Sequence, residues 1–137
     1  KKLNQGDTAW LPQAQGKAVK VVSALLPYLP PDYAYRVLFM RRRMEEVLAS
    51  QDKMLDRRGA DGKVDDGEME KMYRKHLRDT EEWLRRLDRS EHIDVDFNGV
   101  VDEPEPVARR VAAFLDRDLD LKAMASVVDP ELYRNRA

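Results

Sequence analysis

The stretch "YRVLFMRRRMEEVLASQ", residues 35–51, joins an apolar run to a helix through three consecutive arginines. The run "YRVLFM" (35–40) predicts a buried strand. Residues 43–58 predict a helix, because their apolar side chains recur at i, i+3, i+4 and i+7. The arginines therefore stand at the N-terminal end of this helix, where the helix dipole disfavours positive charge. This placement favours a site at which an anion binds.

The surrounding sequence predicts an α/β fold with a parallel sheet flanked by helices. "KAVKVVSALL" (17–26) predicts a first buried strand, and "HIDVDF" (92–97) predicts a third. The proline-rich residues 27–33 predict a loop, and an apolar stripe predicts a long helix from Glu68 to about Arg89. Strands that alternate with helices are typical of parallel sheets. In such sheets ligands bind beyond the carboxyl ends of the strands, where the arginines lie.

The last third of the chain predicts short helices with clear start signals. A turn over 102–106 starts one helix, with Pro106 near its first position. Asp120 is expected to cap a short helix that runs to Val128, and Asp129 a further turn. The length of 137 residues predicts one domain over 1–137.

Composition limits the classes of function. Lysine plus arginine (25) nearly balance aspartate plus glutamate (26), so we expect no nucleic-acid or membrane partner. The absence of cysteine excludes disulfides and thiolate metal sites. No stretch approaches the length of a membrane span, and the N-terminus lacks the apolar core of a signal peptide. We therefore expect a cytoplasmic protein.

The arginine cluster and Ser50 have two interpretations. In the first they form a phosphate clamp, because guanidinium groups and hydroxyls both donate hydrogen bonds to phosphate. Eight helical residues span about 12 Å, so Arg42 must lie in the strand–helix turn and reach Ser50 with its long side chain. In the second interpretation the arginines only pair with local acids, namely Glu45, Glu46 or Asp52. On composition alone the second interpretation is favoured, since charge runs are usually solvated.

Other features of the sequence carry less chemistry. His76 lies on the apolar stripe of the long helix and is expected to be a packed structural residue. His92 has no obvious partner, and two isolated histidines do not predict a metal site. Lys20, inside the first predicted strand, must pair, extend to solvent or serve a site. Residues 57–67 depart from a calcium loop at its ligand positions, and "GKA" at 16–18 lacks the remainder of a P-loop.

Three segments resemble a bacterial sulfotransferase family. "GKAVKVVSALLPYLPPDYAYRVLFMRRRMEEVLASQDKML" (16–55) is similar to the middle of such proteins. "VDFNGVVDEPEPVARRVAAFL" (95–115) is similar to their later strand–turn–helix, and "VDPELYRNR" (128–136) to their C-terminal signature. The similarity covers most of the chain in the right order. The motifs strand–RR–x(7)–S and strand–aromatic–x(6)–P fall at the family's spacing.

The resemblance implies a fold, an activity and a cofactor. Members have a P-loop-NTPase-like α/β fold and transfer a sulfuryl group from 3′-phosphoadenylyl sulfate to a hydroxyl or amine. The family's 3′-phosphate motif corresponds here to Arg42 and Ser50, which would bind adenosine 3′,5′-bisphosphate equally. The aromatic residue near the adenine corresponds to Phe97, and a basic C-terminal segment to Arg134 and Arg136. The acceptor would be a small molecule that the sequence does not identify.

The chain also departs from the family pattern. Lys20 matches a strand lysine that neighbours the catalytic histidine in one branch, and it is the sole candidate for a catalytic residue. That branch's "KTH" is "KVV" here, so no histidine base carries over. The family's first strand and its "P-x-S-G-T-[ST]" loop have no counterpart, which implies an incomplete fold. Without that loop the barrier to transfer should stay high.

The missing segment leaves two alternatives open. In one, the chain carries the nucleotide half-site of an active enzyme whose loop is supplied elsewhere. In the other, it is a truncated, non-catalytic sulfotransferase-like domain with an interaction or structural role. Loss of a strand exposes an apolar sheet edge, which normally needs cover. We expect residues 1–15 to cover this edge, or two copies of the chain to pair through it as a homo-oligomer.

Overall fold

The computed structural model describes residues 3–58 and 65–133, and the side chains of 52–58 and 66 are not described. The fold is α/β, mostly helical, with one parallel sheet of two strands in the part described. The strands are β1 (Arg36–Arg41) and β2 (Glu91–Asp96). The α-helices are α1 (Leu11–Ala14), α2 (Met44–Arg58), α3 (Asp66–Arg86), α4 (Phe97–Asp102), α5 (Pro104–Leu115) and α6 (Leu121–Ser126). Short 3₁₀ helices span Leu3–Gln5, Ser23–Tyr28 and Pro130–Leu132.

The strand predicted over 17–26 is wrong. The backbone from Lys17 to Val22 forms neither helix nor strand, and Ser23–Tyr28 forms a 3₁₀ helix. A short apolar run fits a strand or a helical turn equally, and here Ala24 and the leucines after it favour the turn. Pro27, which lies inside the turn, would also have removed a hydrogen bond from a sheet. Lys20 is therefore not a buried strand residue but an exposed one.

The chain divides into two compact units. The first comprises Lys1–Tyr35 and Met72–Glu91, and the second comprises Arg36–Lys71 and His92–Ala137. That they fold as one domain stays a prediction. Buried side chains described in the first unit are Leu3, Leu11, Leu26, Leu29, Thr80 and Leu84. Those in the second unit are Phe39, Glu46, Val95, Asn98, Ala108, Val111 and Ala112.

Caps and short connections set the elements of the second unit that matter for a site. The Asp96 carboxylate accepts a hydrogen bond from the Gly99 backbone N–H at 2.9 Å, which starts α4 directly after β2. The sequence did not predict this helix. Asp120 caps α6 through the Ala123 N–H, and Asp129 caps the turn Pro130–Leu132, as predicted. Helix α5 packs on both α4 and α6.

Candidate functional site

The carboxylate of Glu46 lies at the centre of a polar cluster in the second unit. Its side chain is 0% exposed, although it belongs to the first turn of α2. Oε2 accepts a hydrogen bond from Arg42 Nε at 2.7 Å. Oε1 accepts one from Asn98 Nδ2 at 2.9 Å and another from the Tyr133 hydroxyl. We call Arg42, Glu46, Phe97, Asn98 and Tyr133 the Glu46 cluster.

Local structure explains how these side chains meet. Arg42 lies two residues before α2, and Glu46 lies in the first turn of that helix. They are four residues apart, the spacing at which side chains at a helix start are neighbours. The Asp96 cap turns the chain into α4 and places Asn98 in its first turn, 6% exposed. Tyr133 directly follows the 3₁₀ turn that Asp129 caps. Three separate parts of the chain thus contribute to one buried network.

The network fixes the protonation state of its members. Burial alone would raise the pKa of the Glu46 carboxyl, but hydrogen bonds from Tyr133, Arg42 and Asn98 together lower it to about 2. The bond to the same carboxylate raises the pKa of Tyr133. At neutral pH Glu46 is therefore charged and Tyr133 keeps its proton. A buried carboxylate with three donors and a cationic partner meets the condition under which a buried charge is tolerated.

Two aromatic rings also contact the guanidinium of Arg42. Its central carbon lies 4.7 Å from the centroid of Phe97 and 5.6 Å from that of Tyr133. The two rings meet edge to face, with centroids 5.5 Å apart and planes at 68°. Such contacts are attractive for a cation and restrict its rotamers. About 25% of the Arg42 side chain remains exposed.

Arg42 pairs with Glu46, one of the local acids named in the pairing interpretation. Arg41 pairs with Asp94 at 3.0 Å, an acid that the sequence did not single out. Arg43 is exposed. Pairing does not exclude a ligand, because a guanidinium carries five N–H donors and Glu46 accepts from Nε. The phosphate role of Arg42 stays a prediction.

Ser50 lies on α2, eight residues after Arg42, and is half-buried. In the described residues its hydroxyl has no hydrogen-bond partner. Phe97 is also half-buried, and the face of its ring that Arg42 covers is closed to a nucleobase. Arg134 and Arg136 lie outside the described residues. Their predicted contribution to a phosphate site stays a prediction.

The first unit holds the remaining predicted residues. Lys20 is exposed on irregular backbone, so the strand position on which its catalytic candidacy rested does not exist. His76 is half-buried on α3, and its Nε2 lies 2.8 Å from the Ser23 hydroxyl. It is therefore hydrogen-bonded as well as packed beside the Tyr73 ring. The sequence assigned no role to Ser23.

Sequence reasoning missed Asn98 and Tyr133. One signal for Asn98 was present, since it is a polar residue between Phe97 and the valines of 100–101. Its Oδ1 is buried without a hydrogen-bond partner in the part of the chain described. The amide must face this way, because both Glu46 and the tyrosine oxygen receive its N–H groups. Tyr133 carried no signal, because its partner lies 87 residues earlier.

Comparison with protein-family models, curated proteins and solved structures finds no match. Within residues 3–58 and 65–133, no helix has both the length and the apolar character that crossing a membrane requires. No group of histidine, aspartate and glutamate side chains in these same ranges is arranged to hold a metal ion.

Proposed function

We propose that the chain is a sulfotransferase-like domain in which Arg42 and Ser50 bind the 3′-phosphate of 3′-phosphoadenylyl sulfate or of adenosine 3′,5′-bisphosphate. The fold would be an incomplete P-loop-NTPase-like one. One observation carries this proposal: a buried carboxylate and two aromatic rings fix the Arg42 guanidinium in the turn directly before α2, the helix that also presents Ser50. A fixed guanidinium binds phosphate with less loss of side-chain entropy than a mobile one.

The residues fit a phosphate with one restriction. Glu46 neutralises Arg42 and accepts a hydrogen bond from its Nε. The phosphate would therefore approach the guanidinium through the quarter of the Arg42 side chain that is exposed. The Ser50 hydroxyl has no competing partner in the described ranges and would donate a second hydrogen bond. Because Glu46 cancels the charge of Arg42, we expect adenosine 3′,5′-bisphosphate to bind with micromolar and not nanomolar affinity. An adenine could stack only on the face of Phe97 that Arg42 leaves open.

The sulfuryl group that is transferred would come from the cofactor, and the acceptor would be a small molecule with a hydroxyl or amine. The chain's own contribution under this proposal is to bind and orient the nucleotide. Lys20 no longer supports a catalytic role, because it is not in a strand. The domain would therefore be active only with a phosphosulfate-binding segment that 1–137 does not supply.

Isothermal titration calorimetry tests the nucleotide site. Adenosine 3′,5′-bisphosphate should bind, and adenosine 5′-monophosphate, which lacks the 3′-phosphate, should bind at least about tenfold more weakly. Ser50→Ala should weaken binding about ten- to a hundredfold, the worth of one hydrogen bond to a charged group. Ser126→Ala is the matched control, since Ser126 is exposed and bonds only within its own helix. Equal affinity for both nucleotides would refute the 3′-phosphate assignment.

A second candidate function is a non-catalytic interaction domain. The observation that favours it is the exposed apolar surface of β1, where Leu38 is 37% and Met40 is 50% exposed. These residues are two positions apart and share one face of the strand. Parallel strands are normally covered on both faces. A second copy of the chain, or residues supplied from outside it, would provide that cover.

Sedimentation analysis separates the two candidates. An interaction domain should form dimers, and Met40→Lys should shift them to monomers without loss of helical signal. Val127→Lys, which adds the same charge at an apolar position that is 78% exposed and outside β1, is the control for the added charge. A monomer at all concentrations, together with measurable sulfuryl transfer, would exclude the non-catalytic alternative.

A further inference from the structure

Ser23 and His76 form a hydrogen-bonded pair within the first unit. The serine Oγ lies 2.8 Å from His76 Nε2, although the residues are 53 positions apart in sequence. Both side chains are half-buried, so neither is sealed in the core. Ser23 begins the 3₁₀ turn Ser23–Tyr28, after an extended and exposed Val22. His76 lies in the middle of α3, with its ring half-buried beside that of Tyr73.

A serine hydroxyl within hydrogen-bond distance of a histidine nitrogen meets one requirement of an activated nucleophile. A serine hydroxyl is a poor nucleophile unless a base within hydrogen-bond reach removes its proton. A histidine that carries its proton on Nδ1 offers Nε2 as that base, and 2.8 Å is within the required range. We propose that Ser23 and His76 are a nucleophile–base pair that accepts acyl groups from activated esters.

The transfer step balances without any further reactant. Ser23 Oγ forms a bond to the acyl carbon while its proton passes to His76 Nε2. The bond to the leaving oxygen breaks, and His76 gives its proton to that oxygen, so that an alcohol departs and the imidazole is neutral again. Water then attacks the acyl-serine, His76 accepts a proton from that water, and the carboxylic acid product leaves as Ser23 regains its proton. His76 thus acts as base in each half of the reaction and returns the proton each time.

The neighbours of the pair indicate a small apolar acyl group. Val22 is 63% exposed and directly precedes the serine, and Leu25 follows it at half-burial. The Tyr73 ring, 6.3 Å from the His76 ring, adds apolar surface beside the base. These side chains are uncharged, whereas the Asp79 carboxylate interacts electrostatically with His76 and would repel an anionic acyl group. A short-chain ester such as an acetyl ester therefore suits the site better than a charged acyl group.

The competing explanation is that the bond only fastens the Ser23–Tyr28 turn to α3. A structural hydrogen bond stabilises the fold but does not make the hydroxyl reactive, so covalent labelling separates the two. The probe is p-nitrophenyl acetate with the full chain, followed by intact mass and peptide mapping. Acetylation located on Ser23, in samples quenched with acid before water hydrolyses the acyl-serine, is the expected result. Urea-unfolded protein should not be labelled at this serine.

Variants complete the test. His76→Gln keeps a hydrogen-bonding side chain but removes the base, and should slow acetylation of Ser23 on the order of a hundredfold or more. His92→Gln is the control for histidine content, since His92 is exposed. Ser126, exposed and distant from any described histidine contact, reports the reactivity of an ordinary serine. The proposal is overturned if Ser23 is not acetylated in the folded chain, if it reacts no faster than Ser126, or if His76→Gln leaves its rate unchanged.

Discussion

Replacement of the buried Glu46 carboxylate by an amide tests the centre of the second unit. Glu46→Gln preserves shape but removes the charge. The amide oxygen can still accept from Asn98 and Tyr133, as Oε1 does now. The amide nitrogen, however, would face Arg42 Nε, so that two donors meet at the position of the present 2.7 Å bond. The guanidinium would lose its ionic partner without moving into water.

The cost follows from the bonds that change. Loss of one charge-assisted hydrogen bond costs about 1.5–3 kcal/mol, and two others weaken from charged to neutral acceptors. Removal of one member of a buried ion pair costs about 3–5 kcal/mol at most. We therefore expect the free energy of unfolding to fall by about 2–4 kcal/mol. For a chain of this length, the melting temperature should fall by about 6–12 °C.

Urea unfolding followed by far-ultraviolet circular dichroism measures this loss. Glu45→Gln is the control, because it makes the same charge change one residue earlier at an exposed position. It should cost no more than about 0.5–1 kcal/mol, the worth of a carboxylate near a helix N-terminus. If the two variants unfold at the same urea concentration, the Glu46 cluster does not hold the second unit together.

Three further outcomes follow from the same contacts. Tyr133→Phe keeps the ring against Arg42 but removes the hydroxyl from Glu46, and should cost about 1–3 kcal/mol in urea unfolding. Folding lowers the pKa of Glu46, so the contribution of its charge to the free energy of unfolding is full above about pH 4.5 and is lost as the pH falls towards 2. In acid titrations the difference in stability between wild type and Glu46→Gln should therefore close over that range. Asp96→Ala removes the cap of α4 and should cost about 1 kcal/mol, whereas Asp102→Ala, at the other end of α4, should not. An unchanged melting temperature for Tyr133→Phe or Asp96→Ala, or a gap that persists in acid, would contradict the corresponding contact.

Local patterns in the sequence predicted most elements of the fold. The strands expected over 35–40 and 92–97 are β1 and β2, each shifted by one residue, and the helices over 43–58 and 68–89 are α2 and α3. Periodicity succeeds there because each segment is long enough for its repeat to be read. It fails over 17–26, because a short apolar run that ends at a proline does not distinguish a strand from a turn.

The candidate site was predicted only in part, because its decisive contacts join distant parts of the chain. The spacing of Arg42 and Glu46 is local, and their pairing was among the predicted alternatives. Nothing local indicates that Glu46 is buried, since an acid in the first turn of a helix is equally expected on the surface. Its burial depends on Asn98 and Tyr133, which lie 52 and 87 residues later. Such contacts are a property of the tertiary fold and leave no periodic trace in the sequence.

Titration of adenosine 3′,5′-bisphosphate into Arg42→Lys and Arg43→Lys tests the proposed function most directly. Both substitutions keep the charge, but Arg42→Lys removes the planar donors that the Glu46 cluster fixes, whereas Arg43 is exposed beside them. If Arg42 binds the 3′-phosphate, wild type and Arg43→Lys should bind with similar affinity, and Arg42→Lys should bind about 10- to 100-fold more weakly. No binding to wild type, or an equal loss in both variants, would contradict the assignment of Arg42 to the 3′-phosphate.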